Sequence, residues 1–134
     1  MDIARGRAEG KPSQVRTETF TGTVFGDPVL DAPGMTIGNV FFGPASRTYW
    51  HSHGGGQVLN VVRGRGLVAT RDGDAYFIEA SDVVHAPEGE VHFHGGAPDS
   101  FVIHTAISMG RTTWLEEVSD ADYHAAFHRA GGVD

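Results

Sequence analysis

The sequence predicts an all-β protein, a β-sandwich or barrel carrying one short C-terminal helix. Three observations lead there. Short runs rich in Val, Ile, Phe, Tyr and Thr recur along the chain, each bounded by Gly, Pro, Asp or Asn. Nineteen glycines are spread through 134 residues, which suits many tight turns better than long helices. Apolar residues at helical spacing appear only near the carboxyl end.

Met1 to Arg16 is polar, shows no period and holds four of the ten Lys and Arg residues. Residues 1–17 are therefore expected to be a flexible tail and 18–134 one domain. Phe20 to Phe25 reads as a first strand, and Asp27-Pro28 and Ala32-Pro33-Gly34 as punctuation after it. Met35 to Phe42 is a second strand, with Gly38, Val40 and Phe42 on one face and Ile37, Asn39 and Phe41 on the other. Arg47 to His53 is a third, aligning Tyr49, His51 and His53 on one side. Gln57 to Val62 is a fourth, closed by Arg63-Gly64-Arg65-Gly66. Leu67 to Arg71 and Ala75 to Glu79 flank Asp72-Gly73, a hairpin signal. Val83 to Ala86, Val91 to His94, Phe101 to Ile107 and Trp114 to Val118 complete the strands. Ser119 can cap a helix whose buried face is Tyr123, Ala126, Phe127 and Ala130, and Gly131-Gly132 stops it.

Composition narrows the function classes. The chain has no cysteine, which removes disulfides, cysteine zinc sites and thiol nucleophiles. A net charge of -7 argues against a nucleic-acid groove. No apolar run is long enough for a membrane span and no signal-peptide pattern opens the chain, so a cytoplasmic protein is expected.

Six of the eight histidines lie between His51 and His104: His51, His53, His85, His92, His94 and His104. One strand histidine alone means little. His51 and His53, however, sit two apart, so on an extended strand they share a face. Three glycines then let the chain turn, and Gln57 opens the next apolar run. Two imidazoles and a carboxamide are thereby aimed at a common point able to hold a metal ion. A third imidazole follows a Pro87-x-Gly89-x-x-His92 turn.

These residues resemble the two motifs of the cupins. Gly43, a spacer, His51-x-His53, three residues, Gln57, six residues and Gly64 match the first; Pro87, Gly89 and His92 match the second. The chain departs from the pattern at Ser81 and Gly96, where glycine and asparagine are usual, and at Gln57, where glutamate is usual. The resemblance implies a cupin-type double-stranded β-helix, or jelly-roll barrel. It also implies a metal site made of His51, His53, Gln57 and His92, with one divalent transition metal per subunit. Manganese is the expected ion, with iron, nickel, cobalt or zinc as alternatives. The segments Arg47 to His53, Gly56-Gln57, Gly89 to Gly95, His104 and Trp114 to Asp120 are similar to the small bacterial manganese cupins that act as hydroxynitrile lyases.

That narrower resemblance implies cleavage of a cyanohydrin to an aldehyde or ketone and cyanide. His104 is the candidate base and His94 a second catalytic candidate; for both, hydrogen-bonding support of the metal ligands is the competing reading. Gly38, Val40, Phe42, Tyr49 and Leu59 are candidate pocket walls, or ordinary core. A cupin dioxygenase and a non-catalytic small-molecule sensor stand as alternative functions. A small-molecule substrate and a homodimer or homotetramer are expected, the latter because small cupins commonly pair through their sheets, with Phe20 to Phe25 as the segment able to cross to a partner.

Overall fold

The computed structural model describes residues 1–6, 10–71 and 73–134. In chain order its strands are β1 (Gln14–Val15), β2 (Phe20–Thr21), β3 (Val24–Ala32), β4 (Met35–Phe42), β5 (Arg47–Thr48), β6 (His51–His53), β7 (Gln57–Thr70), β8 (Ala75–Glu79), β9 (Val83–Ala86), β10 (His92–Gly96), β11 (Val102–Met109) and β12 (Thr112–Trp114). One helix, α1 (Asp120–Arg129), follows.

Every pairing is antiparallel, and β7 joins two sheets. Its first half lies between β11 and β9, and the first sheet continues from β11 through β4 and β3 to β1. Its second half lies between β8 and β10, and β10 carries β5 and β6 on its far side. β2 pairs with β5 and β12 with β6. A single strand serving both sheets forces them to curl toward each other, and the result is the jelly-roll barrel expected from the sequence. Among the described residues no helix is long and apolar enough to cross a membrane.

Two apolar clusters follow from strand alternation. Val24, Phe42, Val61, Val68, Ile78 and Val102 pack together in one. Trp50, Leu67, Ala69 and Phe93 meet Val118, Tyr123 and Ala126 in the other, under α1. The helix is capped as anticipated, Asp122 N–H donating to Ser119 Oγ at 3.1 Å. It is moored by Arg47, whose side chain is only 4% exposed and whose Nε and Nη2 donate to the Val118 carbonyl at 3.2 and 2.8 Å. Tyr123 Oη donates to the Gly96 carbonyl at 2.7 Å on the other side. These bonds to carbonyls carry the mooring; the Arg47–Asp120 ion pair ends on a fully exposed carboxylate and adds little.

Several expected boundaries shift. β3 runs through Asp27-Pro28, because the ladder with β4 slips between Pro28 and Leu30 and the missing proline N–H falls at that irregularity. β7 does not close at Arg63-Gly64 but continues to Thr70. Gly64 takes φ +79°, and a Cβ there would lie 2.0 Å from the Phe101 carbonyl oxygen; the irregularity in the β11 register lies beside it. The stretch Arg47 to His53 is not one strand. It breaks at Tyr49-Trp50, whose N–H groups bond to Thr19 and Glu116 carbonyls. Within the expected tail, Gln14 and Val15 pair with Gly26 and Phe25; Arg7 lies outside the described residues. β7 and β8 pair as anticipated, Ala69 opposite Ala75; of the expected Asp72-Gly73 turn, Asp72 lies outside the described residues. Phe20 to Phe25 pairs within its own chain, Phe20 opposite Thr48 and Val24 opposite Phe42.

Gly64→Ala should lower stability by about 1–3 kcal/mol from the strained backbone alone, with the carbonyl clash added. A urea midpoint unchanged from wild type would show that β7 does not need this residue to cross between sheets.

Candidate metal centre and adjoining cavity

The break at Tyr49-Trp50 sets up the site. Trp50 turns into the cluster under α1 while Thr48, His51 and His53 face the barrel interior. β6 then pairs with β10 so that His51 lies opposite His92. Gln57 enters from the start of β7. His51, His53 and His92 are all buried, and their ligating nitrogens lie within 4.8 Å of one another.

Each ring is tethered through Nδ1. His51 Nδ1 lies 2.9 Å from the Tyr49 carbonyl and His92 Nδ1 lies 3.0 Å from the Glu90 carbonyl. A carbonyl only accepts, so both Nδ1 atoms carry the proton and both Nε2 atoms present lone pairs. His53 Nδ1 is 3.0 Å from Thr112 Oγ1, and its Nε2 is buried without a partner. Gln57 is oriented by Nε2 donating to Ser108 Oγ at 2.9 Å, which leaves Oε1 facing His92 Nε2 at 3.0 Å. Two acceptors held face to face repel unless a cation or proton stands between them.

A proton is disfavoured. Burial, more than any other cause, pushes every ring in this interior down from the ordinary 6.5. His51 and His94 lie well below it, with His92 and His104 respectively adding charge repulsion. His53 and His104 are brought to about 4. Neutral imidazoles with inward lone pairs, an amide oxygen and an orphaned His53 Nε2 suit a divalent transition ion. All four ligand residues expected from the sequence converge.

A cavity of about 190 Å³ opens beside the cluster. Gly38, Val40 and Phe42 line it as expected, together with Phe20, Thr48, Ala106, Ser108 and Trp114. Tyr49 and Leu59 do not. Tyr49 falls in the strand break, out of phase with His51; Leu59 points inward from β7 but is sealed in the core at 1% exposure. His94 lines the cavity, and its Nε2 is buried and unpartnered. His104 does not. Its Nε2 lies 2.9 Å from His94 Nδ1, so it stands behind His94 rather than on the cavity wall. Phe42 packs against both rings, at 5.6 and 5.4 Å between centroids. His85 is exposed on β9 and is not one of the three clustered rings.

Sequence reading missed Thr112, Ser108 and Thr48. Ser108 was within reach, since Val102, His104, Ala106 and Ser108 keep period two along β11. Thr112 gave no signal, because only the β6–β12 pairing, Thr112 opposite His53, brings it in.

A curled antiparallel barrel with histidines and an amide turned into its interior defines a cupin. A cupin-like protein from Thermotoga maritima superposes with a TM-score of 0.79 at 34% identity, over 94% of this chain and 97% of that one. Two further structures share the fold: a predicted oxalate decarboxylase from Thermotoga maritima (TM-score 0.70, 17% identity, 82% of this chain and 100% of that one) and the polyketide cyclase RemF from Streptomyces resistomycificus (TM-score 0.70, 16% identity, 92% of each). No protein-family model matches the chain. In sequence it is 38% identical over 132 residues to an (R)-mandelonitrile lyase from Granulicella tundricola, covering 92% of this chain and 98% of the lyase. The chain belongs to the family of small cupins that includes this lyase.

The lowered histidines set an acid limit. Their folded pKa values lie below the unfolded value of 6.5, so below that pH the unfolded chain binds more protons than the folded one. The melting temperature of metal-free protein should therefore fall as pH drops from about 6.5 to about 4. A flat profile over that window, read by differential scanning fluorimetry, would contradict the buried neutral rings.

Proposed function

We propose that this cupin is a metal-dependent lyase of the hydroxynitrile type, cleaving a small cyanohydrin to a carbonyl compound and cyanide. The opposed lone pairs of His92 Nε2 and Gln57 Oε1, 3.0 Å apart in a buried site, carry the metal reading. The likeness to the mandelonitrile lyase over nearly the whole chain supports the reaction.

His51, His53, Gln57 and His92 would hold the ion, and manganese is the preferred identity. A divalent ion there supplies Lewis acidity toward the substrate's oxygen. The chain's own residues do the rest. Phe20, Val40, Phe42 and Trp114 offer an apolar wall to the organic group. With His94 Nδ1–H donating to His104 Nε2, the unpartnered lone pair on Nε2 of His94, a residue of the cavity wall, accepts the hydroxyl proton. The electron pair of the C–O⁻ then forms the carbonyl while the carbon–carbon bond breaks and its pair leaves with cyanide. His94 returns the proton to cyanide, releasing hydrogen cyanide. His104 holds the tautomer and orientation of His94, the arrangement a ring nitrogen needs to act as a base. His94 is thus the base in this proposal and His104 its positioning residue.

With metal content matched, His94→Ala should lower kcat for mandelonitrile cleavage by about 10²–10⁴-fold and His104→Ala by about 10–100-fold. Turnover equal to wild type in the His94 variant would remove it as base. Gln57→Glu adds a carboxylate to the ligand set, so it should bind manganese more tightly in a chelator competition yet turn over more slowly. A gain in both would sink the role given to the neutral amide.

A further inference from the structure

Outside the barrel, the carboxyl end of α1 gathers a second set of donors. His124 and His128 are spaced i and i+4, so they share a helix face. Their Nε2 atoms lie 2.9 Å apart. Asp134 returns over the same face, with Oδ1 at 3.4 Å from His124 Nε2 and Oδ2 at 3.2 Å from His128 Nε2. The return is made by Gly131-Gly132: Gly131 takes φ +101°, and a Cβ on Gly132 would lie 2.4 Å from the Phe127 ring. All three side chains are exposed.

We propose that His124, His128 and Asp134 form a second cation site, on the protein surface, for a borderline divalent transition ion such as zinc. The tautomers point that way. His128 Nδ1 lies 3.1 Å from the Gly132 carbonyl, so Nδ1 carries the proton and the neutral ring's Nε2 presents a lone pair to His124 Nε2. The carboxylate closes the third side. An ion about 2.0–2.2 Å from each donor, with angles of about 90–110°, separates donors by about 2.8–3.6 Å, a range that contains the 2.9, 3.2 and 3.4 Å seen here. The last-turn carbonyls of α1 add the negative end of the helix dipole, which favours a cation. The set is two nitrogens and a carboxylate, leaving open positions to water. Bound metal would tie residues 131–134 to the helix. None of the three residues lines the barrel cavity, so the site is independent of the lyase reading.

Zinc uptake by the full-length protein at neutral pH, measured by elemental analysis after desalting, tests this. Wild type should retain one equivalent more than His128→Ala and than His124→Ala, with mandelonitrile turnover and far-UV circular dichroism the same in all three. Zinc should also slow amide exchange at residues 131–134 in wild type only. Equal zinc content in wild type and both variants overturns the site. So does an extra equivalent in wild type that leaves the exchange of 131–134 unchanged, since that metal would be bound elsewhere.

Discussion

Two lone pairs are held face to face inside this barrel, on His92 Nε2 and Gln57 Oε1, and much of the surrounding structure serves to keep them there. The Glu90 carbonyl fixes the His92 tautomer. Ser108 fixes the amide of Gln57. Burial withholds the proton that would otherwise relieve the repulsion. The strand break at Tyr49-Trp50 and the passage of β7 from sheet to sheet are what bring the residues to one place. An arrangement of acceptors without a donor is costly in isolation, and a divalent ion would turn it into a ligand set.

Among the described residues, the wall of the cavity is also without acid. Five buried histidines share the interior. An ion held by three neutral rings and a neutral amide would have none of its charge cancelled by the protein, and its Lewis acidity toward a substrate oxygen would be the greater for it. That distinguishes Gln57 from the glutamate of the common cupin pattern. Such an ion would also favour neutral His94 and His104, adding its charge to the desolvation that already lowers both.

Much of this was legible in the sequence. Period-two alternation along Met35 to Phe42 named the faces of β4 correctly, and His51-x-His53, Gln57 and Pro87-x-Gly89-x-x-His92 named the four residues that converge. The helix showed itself through Ser119 and the Tyr123, Ala126, Phe127 spacing. What could not be read depends on pairing between distant strands. Tyr49 looked like a pocket residue because alternation was carried unbroken from Arg47, whereas bonds to Thr19 and Glu116 shift the phase by one residue. Gly64 looked like an end because glycine usually punctuates; here it lets β7 pass close to the Phe101 carbonyl. His104 read as the base ahead of His94, yet His94 lines the cavity and His104 stands behind it, because depth from the cavity is set by which strand lies behind which.

Trp114 gives the site an optical voice. Its ring centroid is 4.7 Å from that of His51, and the indole is 40% exposed, whereas Trp50, the other tryptophan, is sealed against Phe93. A paramagnetic ion held by the three rings would sit within quenching range of the first indole. Emission from Trp114 could therefore follow loading and emptying of the barrel in real time, without label or chromophoric substrate.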